Sequence, residues 1–244
     1  LRMRRVRFRP EGTEEIKTGY LEGENIINCE ERDYELSEVK LLPPVEPGKI
    51  ICVALNYLDH ARESKFELPD RPAFFYKPPS AVIGPGEPIE LPEAERVDYE
   101  AEIAVVIGKK CKNVSRKSAE EFILGYTCLN DVSNRDAQGW EQNWVRAKGF
   151  DTSAPLGPCI TPAEEMPDPI SVELVLNGET KQSSNSSKHI FPVPELVEEL
   201  SSFLTLNEGD IIATGTPAGV GPLSCGDQVE VKVGGVGSLK NPVA

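Results

Sequence analysis

Asp98, Glu100 and Glu102 occupy every second position of the run RVDYEAEIAVVIG, residues 96–108, which otherwise has the composition of a strand. Alternate residues of a strand project to one face, roughly 7 Å apart at ~3.3 Å per residue. From Tyr99 on, the odd positions (Tyr99, Ala101, Ile103, Val105, Ile107) make an apolar face, while the even positions begin acidic and end apolar at Ala104 and Val106. Neighbouring buried carboxylates repel, and one takes up a proton unless a cation lies between them. A second apolar run, FILGYTCLND, leaves the core at another acid, Asp131. Three carboxylates from two strand regions, with no Cys/His cluster to compete, form the donor set of a hard cation, Mg²⁺ or Mn²⁺ first and Ca²⁺ as the alternative. Three protein ligands would leave about three of six octahedral positions for water or substrate, and an open site of that kind can do chemistry. An acidic, solvent-exposed edge strand is the competing reading, which spacing alone leaves open.

A second cluster lies in NYLDHARES, where His60 and Glu63 are three residues apart and share a face if the segment is helical. A histidine held by a carboxylate is a general base tunable around neutral pH. An exposed surface pair is the plainer alternative. The segment directly follows the apolar strand KIICVAL and holds one of only two histidines, which favours function. His189, in SSKHIFP, has no such company and reads as structural. The Gly-rich stretch GDIIATGTPAGVG has neither phosphate-loop spacing, and Pro217 with the following GPLSCGD leaves no helix to point at a phosphate. It is either a tight turn whose Thr214 or Thr216 hydroxyl and backbone N–H groups face a small carboxylate, or a purely structural turn.

The elements that must position these groups are mainly strands. AFFYKP, EIAVVIG, SVELVLNG, DIIATGTP and QVEVKVGGVG join the two runs above, and helical periodicity is confined to NYLDHARESK, SRKSAEEFILG (with Ser115 as N-cap) and PELVEELSSFL. With 21 prolines, 20 glycines and no repeated βα alternation, the chain reads as a β-rich α+β fold. LLPPVEPGKI is the clearest boundary, separating a small N-terminal β-rich region (1–44) from a catalytic domain (45–244). A net charge of −14 argues against a nucleic-acid partner. No run approaches the length of a membrane span, and LRMRRVRFRP lacks the apolar core of a signal peptide, so a soluble, cytoplasmic protein is expected. Six scattered cysteines with no C-x-x-C pair read as buried, reduced thiols, and with two histidines a zinc site is not expected.

Taken in order, NYLDHARE, FFYKPPSAVIGPGEPIELP, VDYEAEIAVVIG, GYTCLNDVSNRDAQ, RAKGFDTSAPLGP, NGETKQ and GDIIATGTPAGVG resemble the fumarylacetoacetate hydrolase family, in its short form without the large N-terminal SH3-like domain. The resemblance covers roughly residues 48 to 242. It implies a mixed β-sheet roll, a homodimer, and Mg²⁺ or Mn²⁺ held by Glu100, Glu102 and Asp131, with Asp98 outside the ligand set. It also implies a catalytic dyad of His60 and Glu63 on a lid near residues 57–69, and Lys148 steadying oxyanion charge. Substrate contacts would come from Arg135, Gln138 and Thr216, although Arg135 serves equally well as a structural ion-pair partner. Two departures stand out: Gly149 replaces a usual serine, and the full-length hydrolase's fourth carboxylate ligand has no counterpart, which suggests a water in that position.

The implied activity is on a small 2-oxo acid that enolises at the metal. C–C hydrolysis of an acylpyruvate-type substrate is the first expectation. Oxaloacetate decarboxylation or tautomerisation and 2-hydroxyhepta-2,4-diene-1,7-dioate isomerisation are the alternatives, and the motifs do not choose among them. A non-catalytic metal-binding protein on the same fold is the reading from another class, and it predicts a site without the base.

Overall fold

The computed structural model describes residues 3–23, 25–65 and 67–244. Its centre is the strand Ala101–Ile107, with every residue buried. On the odd face, Ile103 packs with Val172, Leu174 and Val231 of a four-stranded antiparallel sheet, and Val105 and Ile107 pack with Leu196, Val197 and Leu200 of the helix Val193–Phe203. On the even face, Ala104 and Val106 meet Cys52, Leu129, Leu156 and Ala213. Both faces are therefore apolar along most of its length, as in a strand enclosed between layers. The acidic even positions are confined to the end where the strand emerges.

The strand pairs antiparallel with Ile123–Asn130 and Ile211–Ala213, and the latter runs parallel to Ile50–Val53. Beyond these lie the antiparallel edge strand Phe74–Lys77 on one side and Ala154–Pro162 on the other. The sheet is mixed and the fold is β-rich α+β, as the strand count of the sequence suggests. The N-terminal strands continue this sheet, because Arg4–Pro10 pairs antiparallel with Ala154–Pro162 (Arg5 opposite Ile160) and with Lys17–Glu22 and Val39–Leu42. Val6, Phe8, Leu21 and Ile27 share one core with Ile103 and Val172.

The helices depart from expectation in two ways. SRKSAEEF forms a 3-10 helix, Arg116–Phe122, and the Ser115 hydroxyl donates to Ser118 Oγ instead of capping a backbone N–H. The strand beginning at Ile123 takes over the residues that would have completed a second α turn. Two short helices, Arg135–Trp140 and Val145–Lys148, carry site residues and have no apolar periodicity to announce them. Leu58–Ser64 is helical as expected, with Tyr57 and Ala61 buried, while Arg62 and Glu63 are exposed. Phe66, an apolar position of the expected lid, lies outside the described residues.

The entry to that helix is fixed by Asn56, which is fully buried. Its Nδ2 donates to Phe191 O (3.1 Å) and Thr214 O (2.8 Å), and its Oδ1 accepts from Phe191 N–H (2.7 Å). Gly215 packs so closely that an added Cβ would lie 2.9 Å from Asn56 Cβ, and its φ of +96° is a conformation that favours glycine. Asn56→Ala would leave three buried backbone groups unpaired, at about 1–3 kcal/mol for each such group. Urea unfolding should show a clear fall in midpoint with an unchanged slope. A midpoint equal to the parent's would mean the clamp is dispensable.

Candidate active site

Sheet register builds the acidic cluster. Ala101 stands opposite Asn130, so the residues just outside the pairing, Glu100 and Asp131, meet where the two strands emerge. Asp131 N–H donates to Glu100 O (2.8 Å), and Glu100 N–H donates to Asn130 Oδ1 (3.0 Å). Glu102, two residues on, projects to the same side. Each of Glu100, Glu102 and Asp131 offers an oxygen within 4.8 Å of the others, and all three are buried. Asp98 is held elsewhere, accepting from Arg96 Nε (2.7 Å) and Arg135 Nε (2.7 Å).

The cations are placed as regularly as the acids. Arg135 joins Asp98 to Glu100 through Nη2 (2.6 Å), and Lys148 Nζ joins Glu100 (2.9 Å) to Asp131 (2.7 Å). Lys77 Nζ lies 2.7 Å from the other Asp131 oxygen. The result is an alternating line: Arg96, Asp98, Arg135, Glu100, Lys148, Asp131, Lys77. Burial opposes ionisation of Glu100, but Lys148 and Arg135 overcome it and hold the carboxyl well below the usual range. Glu102 is the exception. Among the described residues it touches no cation, and its carboxylate accepts only the Gly215 N–H (2.8 Å). Burial, then the charges of Asp131 and Glu100, push it far above the usual range. A divalent ion fits this donor set: all-oxygen, triply acidic, and with one member lacking a cation.

A cleft of about 570 Å³ opens beside the cluster, walled by His60, Arg96, Glu100, Arg135, Gln138 and Lys148. The structure thus brings five of the nine expected site residues to one cleft, with Glu102 and Asp131 buried in the cluster that adjoins it. Gln138 Oε1 accepts from Arg135 Nη1 (2.7 Å), so the two act as one unit. His60 Nδ1 and Glu63 Oε2 are 3.6 Å apart, beyond a hydrogen bond, because the Glu63 carboxylate accepts the Gly219 N–H (3.1 and 3.3 Å). His60 Nδ1 is buried without a partner among the described residues. Such pairs are often loose before substrate binds. The Thr216 hydroxyl donates to Ala101 O (2.9 Å) and accepts from Gln182 Nε2 (2.8 Å). Thr214 likewise donates to Ile103 O (2.8 Å), so the Gly-rich turn is tied to the central strand. His189 stacks edge-on against Tyr57 at 4.7 Å, and burial pushes its pKa down to about 4.

Two residues escaped the sequence analysis. Arg96 begins the very run that carries the acids, but it reads as a strand-flanking charge. Lys77 closes an apolar strand immediately before two prolines, and lysine is almost never expected inside.

The fold and this site together define the class, a β-rich domain with a buried carboxylate cluster beside a cationic cleft. The chain belongs to the fumarylacetoacetate hydrolase family: residues 49–244 match the model of the fumarylacetoacetate (FAA) hydrolase C-terminal domain. Oxaloacetate tautomerase YisK of Bacillus subtilis is 41% identical over 225 residues, covering 86% of this chain and 75% of its own. A 5-carboxymethyl-2-hydroxymuconate delta-isomerase from Mycobacterium smegmatis superposes with a TM-score of 0.91 at 41% identity, covering 99% of this chain and 98% of its own. Maleylpyruvate hydrolase from Sphingobium sp. SYK-6, solved with manganese(II) and pyruvate, superposes with a TM-score of 0.86 at 29% identity over 99% of both chains. Among the described residues, no helix is long and apolar enough to cross a membrane.

Glu102→Ala should abolish tight Mn²⁺ binding while leaving the fold intact, because it removes the acid that lacks a cation and leaves the line of ion pairs in place. Electron paramagnetic resonance titration with Mn²⁺, alongside circular dichroism, checks this. Parent-like affinity in a folded variant would remove Glu102 from the ligand set.

Proposed function

We propose that this chain is an enzyme that uses Mg²⁺ or Mn²⁺, held by Glu100, Glu102 and Asp131, to move a proton on an enolisable 2-oxo acid, in a keto–enol tautomerisation or double-bond isomerisation. The observation that carries the reading is Glu102, a buried carboxylate without a cation in contact among the described residues, beside a cleft whose walls present the His60 imidazole and several cations. The bound ion would supply Lewis acidity to the 2-oxo oxygen and its adjacent carboxylate.

The chain's own groups perform the rest. Arg135, oriented by Asp98 and Gln138, and the half-exposed Arg96 offer guanidinium groups to a carboxylate of the substrate. His60 accepts the proton from the carbon next to the 2-oxo group, and that proton is returned to oxygen for a tautomer or to a more distant carbon for an isomer. The Lys148 ammonium, fixed by Ser133 Oγ at 2.6 Å, stabilises the negative charge that develops on oxygen. The tautomerase and isomerase relatives are more similar in sequence than the hydrolase, which supports proton transfer over C–C cleavage.

One feature favours hydrolysis of an acylpyruvate-type substrate as a second reading. His60 Nδ1 lacks a partner among the described residues and faces Glu63 across 3.6 Å, the arrangement of a base that would activate water. A panel of 2-oxo acids with Mg²⁺ or Mn²⁺ separates the two. An enol–keto absorbance change without pyruvate release is expected. Pyruvate with a second carboxylic acid would establish the hydrolase, pyruvate with CO₂ a decarboxylase, and no turnover on any member would overturn the enzyme reading. In the active assay, Lys148→Met should lower kcat by ~10²-fold, the scale of losing one oxyanion donor. Parent-like turnover would make Lys148 purely structural.

A further inference from the structure

Lys77 is buried to the tip of its side chain, at the end of the edge strand Phe74–Lys77, and lies outside the proposed machinery. Its ammonium gathers acceptors from three separate segments. Nζ donates to Val132 O (3.2 Å), to Lys148 O, to Ser153 O (2.8 Å) and to Ser153 Oγ (3.2 Å), and it forms the 2.7 Å ion pair with Asp131 Oδ1. Ser153 Oγ in turn donates to Lys148 O (2.9 Å). The next residue, Pro78, closes the same turn from the side: a Cβ on Gly149 would lie 2.9 Å from Pro78 Cδ and 2.8 Å from Val145 O. Glycine at 149 therefore lets the Lys77–Pro78 corner seat directly against the Lys148 turn.

We infer that Lys77 is a positioning residue that sets both the Asp131 carboxylate and the Lys148 turn. By charge attraction at 2.7 Å to Oδ1, which has no hydrogen-bond partner among the described residues, it biases the rotation of Asp131 and leaves Oδ2 facing the cluster. By holding the Lys148 carbonyl, it fixes where that residue's ammonium stands. A lysine suits this place because its three N–H donors match the three carbonyls, while its charge acts on the Asp131 carboxylate as an ion pair. The inference rests on the metal-site reading above but not on the identity of the reaction.

The sign of a metal-affinity change separates positioning from plain charge. Removing a nearby cation relieves its repulsion of Mn²⁺ and by itself tightens binding. Losing the orientation of a ligand weakens it, by ~10- to 100-fold for partners that hold metal ligands. Mn²⁺ titration of Lys77→Met by electron paramagnetic resonance should show at least ~10-fold weaker binding than the parent. The parent is the control: no Mn²⁺ binding there defeats the site reading itself, whereas parent-like or tighter binding in the variant defeats only the role of Lys77. Turnover supplies a second readout. With Mn²⁺ saturating, so that the Asp131 effect on metal affinity is removed, Lys77→Met combined with Lys148→Met should lose no more kcat than Lys148→Met alone. Additive losses would make Lys77 a scaffold residue only. Should Lys77→Met fail to fold, Ser153→Ala removes one member of the same network. It should weaken Mn²⁺ and lower kcat in the same direction by a few-fold, and parent-like values in both would overturn the inference.

Discussion

Everything at this site depends on balancing buried charge. Placing four acids with Arg135, Lys148 and Lys77 inside a β-rich core costs a large desolvation energy, which only close pairing offsets. The fold meets the requirement by alternation, running from the half-exposed Arg96 inward to Lys77, so that each internal member of the line has an opposite charge on either side. The sheet register that opposes Ala101 to Asn130 makes the alternation geometrically available, and the Arg135–Trp140 and Val145–Lys148 helices deliver the cations. Glu102 stands outside the line, which is why the demand for a further cation falls on that residue.

The acidic half of the arrangement was legible in the sequence because a strand repeats every two residues. Glu100 and Glu102, two apart at the start of an apolar run, can be read without a structure, and Asp131 could be read as the last residue of an apolar strand. The expected single strand, however, breaks at Glu100, and Asp98 lies on a separate short strand, Val97–Tyr99, that pairs in another sheet. Composition likewise conveyed a β-rich fold. The cationic half was largely hidden. Lys77 comes to the cluster through tertiary packing, and a lysine ending a strand reads as exposed by default. Arg135 and Lys148 could be placed by resemblance, but their helices are a turn or so long and carry no periodic signal. The 3-10 geometry of Arg116–Phe122 was lost for a similar reason: local helix preference gave way to the strand that begins at Ile123.

The Gly-rich turn illustrates the limit of reading chemistry from side-chain type. Its threonines looked like ligand-facing hydroxyls, yet Thr214 and Thr216 both donate to carbonyls of the central strand. What the turn gives the cluster is a backbone N–H, from Gly215 to Glu102, made accessible by a positive φ and by the close approach of Asn56. Backbone N–H donors were part of the sequence reading of this turn; what only the fold supplies is that the donor is Gly215 and that its acceptor is the protein's own Glu102.

The cations of the cleft sit in a molecule whose net charge is −14. If the substrate is the anionic 2-oxo acid proposed above, it meets a repulsive far field on its approach from bulk solvent before it feels the guanidinium groups at the mouth, where Arg96 is about half exposed. The two fields differ in range. At ~0.15 M ionic strength, with a screening length of about 8 Å, the distant acidic surface is largely silenced while the short-range attraction persists. Dissolved salt thus acts on encounter in the direction opposite to that of a positively charged enzyme, quickening the arrival of the anion instead of slowing it.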